Sequence, residues 1–182
     1  MKRINLVLIV MATLFAFPLT AQKYKTKKGD ASFFSTAPIE DIEAKSNQMV
    51  CKLNTIDNSL AFGVSIRSFQ FDNEKMREHF NENYMESDKY KIAKFIGKIQ
   101  DTIDYTVDGT HEVTVVGKLT IHGVTKDRTV IGTLIVKDGK IQLKSSFDVT
   151  VSDHEVKIPK LMFQKIAETV KVTIDCILDK EE

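Results

Sequence analysis

The sequence predicts one mainly-β domain, an antiparallel meander of eight or nine short strands interrupted by a single amphipathic helix. Three observations lead there. Beyond about residue 94, apolar and polar residues alternate through most of the chain, as they do where one strand face is buried and the other is wet. Turn pairs such as Asp138-Gly139 punctuate these runs. Successive runs follow one another without intervening helical patterns, which argues against parallel βαβ units. A meander of this length closes into a barrel or folds into a two-sheet sandwich.

Each element has its own reason. Lys2 and Arg3 precede an uncharged apolar stretch from Ile4 to Phe17, and Pro18-Leu19-Thr20-Ala21 places a small residue before Gln22. This layout predicts a secretory signal peptide, residues 1–21, cleaved after Ala21. The apolar run falls short of the ~20 residues of a membrane span, and no Cys stands at the cleavage point for a lipid anchor. Residues 22–182 then form one exported domain, expected in the periplasm or secreted. Met49, Cys51 and Leu53 share one phase, Asp57-Asn58 reads as a turn, and Leu60, Phe62, Val64 and Ile66 repeat the alternation. From Asp72 to Glu86 the period changes: Met76, Phe80 and Tyr84 lie at i, i+4, i+8, a helical stripe with Asp72 as its expected N-cap and Glu74 in the first turn.

Asp108-Gly109 reads as a hairpin signal before Val113, Val115, Gly117, Leu119 and Ile121, and His122-Gly123 ends that strand. After Asp138-Gly139 the inward set is Ile141, Leu143, Ser145, Phe147, Val149 and Val151. A second short helix or turn is expected at Leu161 to Glu168, ahead of the last run, Val170, Val172, Ile174, Cys176 and Leu178.

Composition excludes several classes. The 182 residues are 42% hydrophobic and 28% charged, too apolar for a disordered chain, and three Pro with eight Gly are too few for low complexity. Lys+Arg 26 against Asp+Glu 25 gives a net charge of +1, without the basic excess of a nucleic-acid binder. Removal of Lys2 and Arg3 with the leader turns +1 into −1. Two Cys suffice neither for a disulfide scaffold nor for a four-thiolate zinc site. Both share the phase of apolar neighbours, so two buried, inert thiols are the expected state, although export would permit a disulfide.

Catalytic chemistry finds few footholds. There is no GxSxG elbow, no HExxH, no glycine-rich phosphate loop and no dinucleotide fingerprint. His79 on the helix flank, His111 at a strand start, His122 in a turn and His154 do not form a ligand pattern. The carboxylates between Asp72 and Asp88 read as a solvated helix face. The protein is therefore expected not to be an enzyme and to need no metal or cofactor.

The most specific signals are three blocks. The first is Glu78-His79-Phe80-Asn81-Glu82-Asn83-Tyr84-Met85-Glu86-Ser87, followed by Lys89-Tyr90 and Phe95-Ile96-Gly97. The second is Gly117-Lys118-Leu119-Thr120-Ile121-His122-Gly123-Val124-Thr125-Lys126, and the third runs from Asp153 to Ile158-Pro159. With Phe34-Ser35-Thr36-Ala37-Pro38-Ile39-Glu40 near the start, they resemble the YceI-like family of exported proteins, in the family's order over nearly all of residues 22–182. The resemblance implies a lipocalin-like, up-and-down antiparallel β-barrel of about eight strands whose lumen holds an amphiphile with a long isoprenoid tail. Two departures stand out. Lys28-Gly29-Asp30-Ala31-Ser32-Phe33-Phe34 replaces the Asp-x-x-His-Ser-type segment of longer members, and Lys91 stands where Pro often follows Lys-Tyr. The missing His-Ser pair bears on a head-group role at that position, not on a tail-binding lumen.

The expected lumen lining is Phe62, Val64, Ile66, Phe95, Ile99, Val113, Val115, Leu119, Ile121, Ile141, Leu143, Phe147 and Ile174, with Met76, Phe80 and Tyr84 capping or gating one end. The expected partner is a long-chain isoprenoid, an isoprenoid quinone or a similar lipid, with a homodimer left open and no nucleic acid. The alternative is a structural or interaction module of the cell envelope with a closed, ligand-free core. A membrane-inserted barrel is disfavoured by short strands, the charged helix and the lack of aromatic girdles.

Overall fold

The computed structural model describes residues 22–36, 41–158 and 167–181. Eight strands follow in chain order: β1 (Lys23–Ser35), β2 (Ile42–Asn54), β3 (Ser59–Ser65), β4 (Ile92–Ile99), β5 (Gly109–Ile121), β6 (Val124–Lys137), β7 (Lys140–Thr150) and β8 (Thr169–Lys180). Each is antiparallel to the next, and β1 also pairs with β8, so the sheet closes into a barrel and is not a sandwich. The expected leader and most of the helix or turn expected at Leu161 to Glu168 lie outside the described residues.

Closure places a demand on β1 that simple alternation does not meet. Tyr24 faces inward, but so do Gly29, Ala31, Phe33 and Ser35, which have the opposite parity. One extra β1 residue is inserted between Thr26, opposite Cys51 of β2, and Gly29, opposite Met49. The same insertion appears against β8, between Lys25 and Asp30. A bulge shifts every later side chain to the other face. Without it Phe33 would point to solvent and Phe34 into the barrel. Gly29 sits under this bulge because a Cβ there would lie 2.8 Å from the Cys176 Cβ and 3.0 Å from the Met49 methyl.

A second close approach joins β4 to β5. Gly97 and Gly117 stand opposite each other, and the Phe95 ring folds over both. A Cβ on Gly117 would lie 2.4 Å from the Ile96 carbonyl oxygen and 2.7 Å from the Phe95 ring.

Two of the expected turns are tight hairpins. His122-Gly123 and Asp138-Gly139 both take left-handed backbone at each residue, as a two-residue primed turn requires. Asp108-Gly109 is not one. Gly109 opens β5 at the end of a loop that carries Tyr105 into the barrel end, where its hydroxyl donates to Asn58 Oδ1 at 2.9 Å. Burial pushes the Tyr105 phenol up to about 12.

The helical excursion between β3 and β4 is shorter and more irregular than expected. A 3-10 turn (Ile66–Ser68) is followed by α1 (Glu74–His79) and a π-helical turn (Phe80–Tyr84). Asn73, not Asp72, is the N-cap; its Oδ1 accepts from the amides of Lys75 at 2.9 Å and Met76 at 3.4 Å. Before the helix, Lys45 and Gln70 exchange backbone hydrogen bonds of 2.8 and 3.1 Å, so this segment continues beside β2 where β3 has ended.

Cys51 and Cys176 are free thiols, both fully buried. Burial, then the neighbouring Cys176 thiol, pushes the Cys51 thiol far up, which leaves it protonated and unreactive.

Gly117→Ala should destabilise the barrel by about 2 kcal/mol or more, since the added methyl meets backbone on one side and the Phe95 ring on the other. A lower urea midpoint at unchanged slope checks it.

Candidate functional site

The barrel is packed at one end and hollow at the other. At the packed end Tyr24, Leu53, Ile99, Tyr105, Val136, Ile141 and Leu178 fill the interior. In the half nearest the helical segment lies a cavity of about 410 Å³, inside the range of ~300–1,000 Å³ typical of small-molecule sites. Val113, Val115, Gly132, Ser145, Val170 and Val172 line it together with larger side chains such as Phe62, Leu119, Leu143 and Phe147, which border the space without closing it.

All the residues expected to line the lumen border this cavity except Ile99 and Ile141. Those two face inward as their phase predicts, but at the packed end, where they belong to the core. Alternation reports the face of a strand and not the height along the barrel. Met76, Phe80 and Tyr84 all reach the cavity from the helical segment, as does His79.

Several lining residues escaped the sequence reading. Phe33, Phe69, Phe71 and Phe80 form one aromatic cluster at the helix end, with Phe33 and Phe80 stacked at 5.3 Å and Phe71 and Phe80 at 5.0 Å. Phe33 was hidden by the β1 bulge, while Phe69 and Phe71 lie in an irregular segment with no period. Val130, Val170 and Val172 were legible, being in phase with Leu134 and Ile174.

The wall of the hollow half is parted at one place. β6 and β7 pair only from Gly132, opposite Ser145, to Lys137, opposite Lys140. Toward the helix end, Val124–Ile131 of β6 pairs with β5 alone, and Ser146–Thr150 of β7 pairs with β8 alone. Val130 and Gly132 border the cavity on one side of the split, and Ser145, Phe147 and Val149 on the other. The Ser145 hydroxyl donates to the Ile131 carbonyl at 2.7 Å where pairing stops, and the Arg128 guanidinium reaches across to the Asp148 carbonyl.

The motif blocks converge at the far edge of this split. After β7, the turn Val151–His154 folds back on β6, where His154 Nδ1–H donates to the Val124 carbonyl at 3.0 Å. The His122 ring stacks edge-on against Tyr90 at 4.3 Å, donates from Nε2 to Glu86 at 2.8 Å, and brings Nδ1 within 3.3 Å of the His154 carbonyl. Gly123 is needed here: its φ is +78°, and a Cβ would lie 2.5 Å from the Tyr90 ring. Glu86 and Tyr90 from the first block, His122-Gly123 from the second and His154 from the third thus form a latch holding the helical excursion to the barrel rim. None of these side chains is arranged as a nucleophile with its base. Among the described residues no group of three His, Cys, Asp or Glu could hold a metal ion, and no helix is long and apolar enough to cross a membrane.

A closed eight-stranded barrel with an apolar interior cavity has room for a small hydrophobic molecule. The chain belongs to the YceI-like domain family, whose model matches residues 22–178. It is similar in fold to a polyisoprenoid-binding domain from Saccharophagus degradans, with TM-score 0.74 and 14% identity over 88% of this chain and 99% of that one. BcnA of Burkholderia cenocepacia aligns with TM-score 0.69 and 17% identity over 83% of this chain and 96% of its own. The Campylobacter jejuni YCEI protein aligns with TM-score 0.55 and 19% identity over 100% of this chain and 99% of its own. No curated protein matches the chain.

Two measurements test this anatomy. Ile141→Ala should cost about 3 kcal/mol, whereas Phe147→Ala should cost less despite its larger deletion, because its ring already borders empty space; urea denaturation ranks them. The second concerns acid. Burial holds the His154 ring below its ordinary value of 6.5. The unfolded chain therefore takes up this proton first, and the stability His154 contributes is complete above 6.5 and lost as pH falls from there toward its folded value. In His154→Gln the loss of stability between about pH 7 and about pH 5.5 should be smaller than in the wild type, read by urea midpoints at each pH.

Proposed function

We propose that this protein is an exported, periplasmic carrier that holds a long-tailed amphiphile, such as a polyisoprenoid, an isoprenoid quinone or a similar lipid, inside the barrel, and that it acts by binding and not by catalysis. The observation that carries the reading is the cavity of about 410 Å³, lined almost wholly by apolar side chains and roofed by the helical segment. Family membership and the fold shared with a polyisoprenoid-binding domain support it.

The physics is that of hydrocarbon burial. Each CH₂ removed from water contributes about 0.8 kcal/mol gross, so a five-carbon isoprene unit contributes up to ~4 kcal/mol before the entropy of ordering the tail is subtracted. The cavity offers few fixed polar partners for a head group. Selectivity then rests on length and shape, with the Phe33, Phe69, Phe71 and Phe80 cluster presenting rigid apolar surface beside the helix. The export step is part of the proposal: processed protein should begin at Gln22 in a periplasmic fraction, and a chain retaining Met1 in the cytoplasm would contradict export.

Organic extraction of the purified protein followed by mass spectrometry should release a long-tailed lipid. Leu143→Trp, which adds bulk to the hollow half, should reduce the retained lipid by more than about tenfold, equivalent to about 1.4 kcal/mol, with an unchanged far-ultraviolet spectrum. Wild-type protein that repeatedly yields no lipid and takes up none from added isoprenoid would overturn the reading.

A further inference from the structure

The outer wall of the barrel carries a feature that the lumen does not explain. Of the nine exposed large apolar side chains among the described residues, five (Val50, Ile92, Ile96, Val116 and Ile131) lie on the outside of β2, β4, β5 and β6. They form one diagonal stripe. Val50 stands opposite Gly63 of β3, and the Ile92 side chain leans over that glycine, 3.9 Å from where a Cβ would be. Ile96 is opposite Lys118, diagonal to Val116, and Val116 is opposite Thr129, diagonal to Ile131. Ile92, Ile96 and Ile131 are 58%, 57% and 61% exposed, values unusual for isoleucines on a strand.

Lysines interleave the stripe. Lys52, Lys94 and Lys98 face outward between its apolar members, and neither β3 nor β4 contains a carboxylate. Among the described residues none of these three makes an ion pair; the flanking Lys118 pairs with Asp127. Asp57, in the β2–β3 turn, feels Lys98 without pairing with it.

We infer that this wall docks on an anionic lipid bilayer. Charge selects that occupant. A second copy applied to the same face would set lysines against lysines, and like charges at an interface oppose association. The aromatic and Arg anchors that dominate protein interfaces are missing from the stripe. Aliphatic side chains between lysines suit a bilayer surface instead, where the ammonium groups meet lipid phosphates and the stems and isoleucines enter the headgroup region. The stripe ends at Ile131, where β6 leaves β7 and the cavity meets the wall. Docking therefore brings the parted side of the barrel toward the membrane. Only the purpose of docking rests on the lipid-carrier reading; binding to vesicles does not require a loaded lumen.

The experiment is flotation of the full-length domain with phosphatidylglycerol–phosphatidylcholine vesicles and with pure phosphatidylcholine vesicles. Binding should require phosphatidylglycerol and weaken with salt. The double variants Ile92→Ser with Ile96→Ser, and Lys94→Glu with Lys98→Glu, should each lose more than about tenfold in partitioning. Ile177→Ser, at a residue 51% exposed on the opposite strand β8, should bind as the wild type does. In a chain without Trp, Ile96→Trp gives an independent readout, a blue shift of emission on phosphatidylglycerol vesicles only. Wild-type binding that survives both double variants, or no binding at all, overturns the proposal. So does a dimer, seen by light scattering, that the isoleucine variant dissociates. Lipid extraction from the same preparations separates failure of docking from failure of the carrier reading.

Discussion

The pairing of β1 with β8 is the interaction on which the rest of the molecule depends, because it turns an eight-strand meander with two open edges into a wall with an inside. An open sheet of these sequences would expose one apolar face along its whole length, and its edges would invite pairing with other chains. The closed wall carries a phase change in the middle of β1, and β2 makes its own between Ser46 and Met49. The bulge between Thr26 and Gly29 lets Tyr24 enter the packed end and Ala31, Phe33 and Ser35 enter the hollow half of the same strand. Gly29 then leaves room for Cys176 and Met49 beneath the bulge. The two buried thiols belong to this seam as small apolar packing, not as chemistry.

Given a closed wall, side-chain size settles where the empty space falls. Eight strands enclose just enough room for side chains to meet across the axis. Tyr24, Leu53, Ile99, Ile141 and Leu178 meet at one end, so it is solid. At the other, the inward side chains of the wall stop short of one another and leave space that the helical segment roofs over without filling. The segment cannot hold itself there by its own helix, which is only one regular stretch from Glu74 to His79 and a π-helical turn. It is held by Phe80 in the aromatic cluster and by the Glu86–His122 contact at the rim. The family blocks thus read as structural devices around the mouth. His122 and His154 orient loops, and the part of the barrel that would meet a ligand is almost wholly hydrocarbon.

Much of this was legible in the amino-acid string. Strict alternation identified the inward faces of β3, β5, β7 and β8, and the left-handed turn chemistry of His122-Gly123 and Asp138-Gly139 marked two hairpins. The helical stripe Met76, Phe80, Tyr84 was found by its period and does reach the cavity. The misses have physical causes. Asp108-Gly109 carries a turn signature, yet the loop before it is spent on burying Tyr105. Asn73 displaced Asp72 as the cap, since adjacent residues compete for that role and it is the Asn73 side chain that reaches the Lys75 and Met76 amides. Phe69 and Phe71 belong to no periodic element.

Local chemistry, then, was enough for the strands, their inward faces, most turns and the family, because a two-residue period and the φ preferences of glycine act between near neighbours in the chain. The phase change in β1, the packed and hollow ends, the parted β6–β7 wall and the latch were settled only in three dimensions. Each depends on which residue of one strand stands opposite which residue of another, and that register is a property of long-range pairing around a closed barrel. Ile99 and Ile141 show the difference: their alternation correctly turned them inward, and only the barrel's register placed them in the solid core instead of at the cavity.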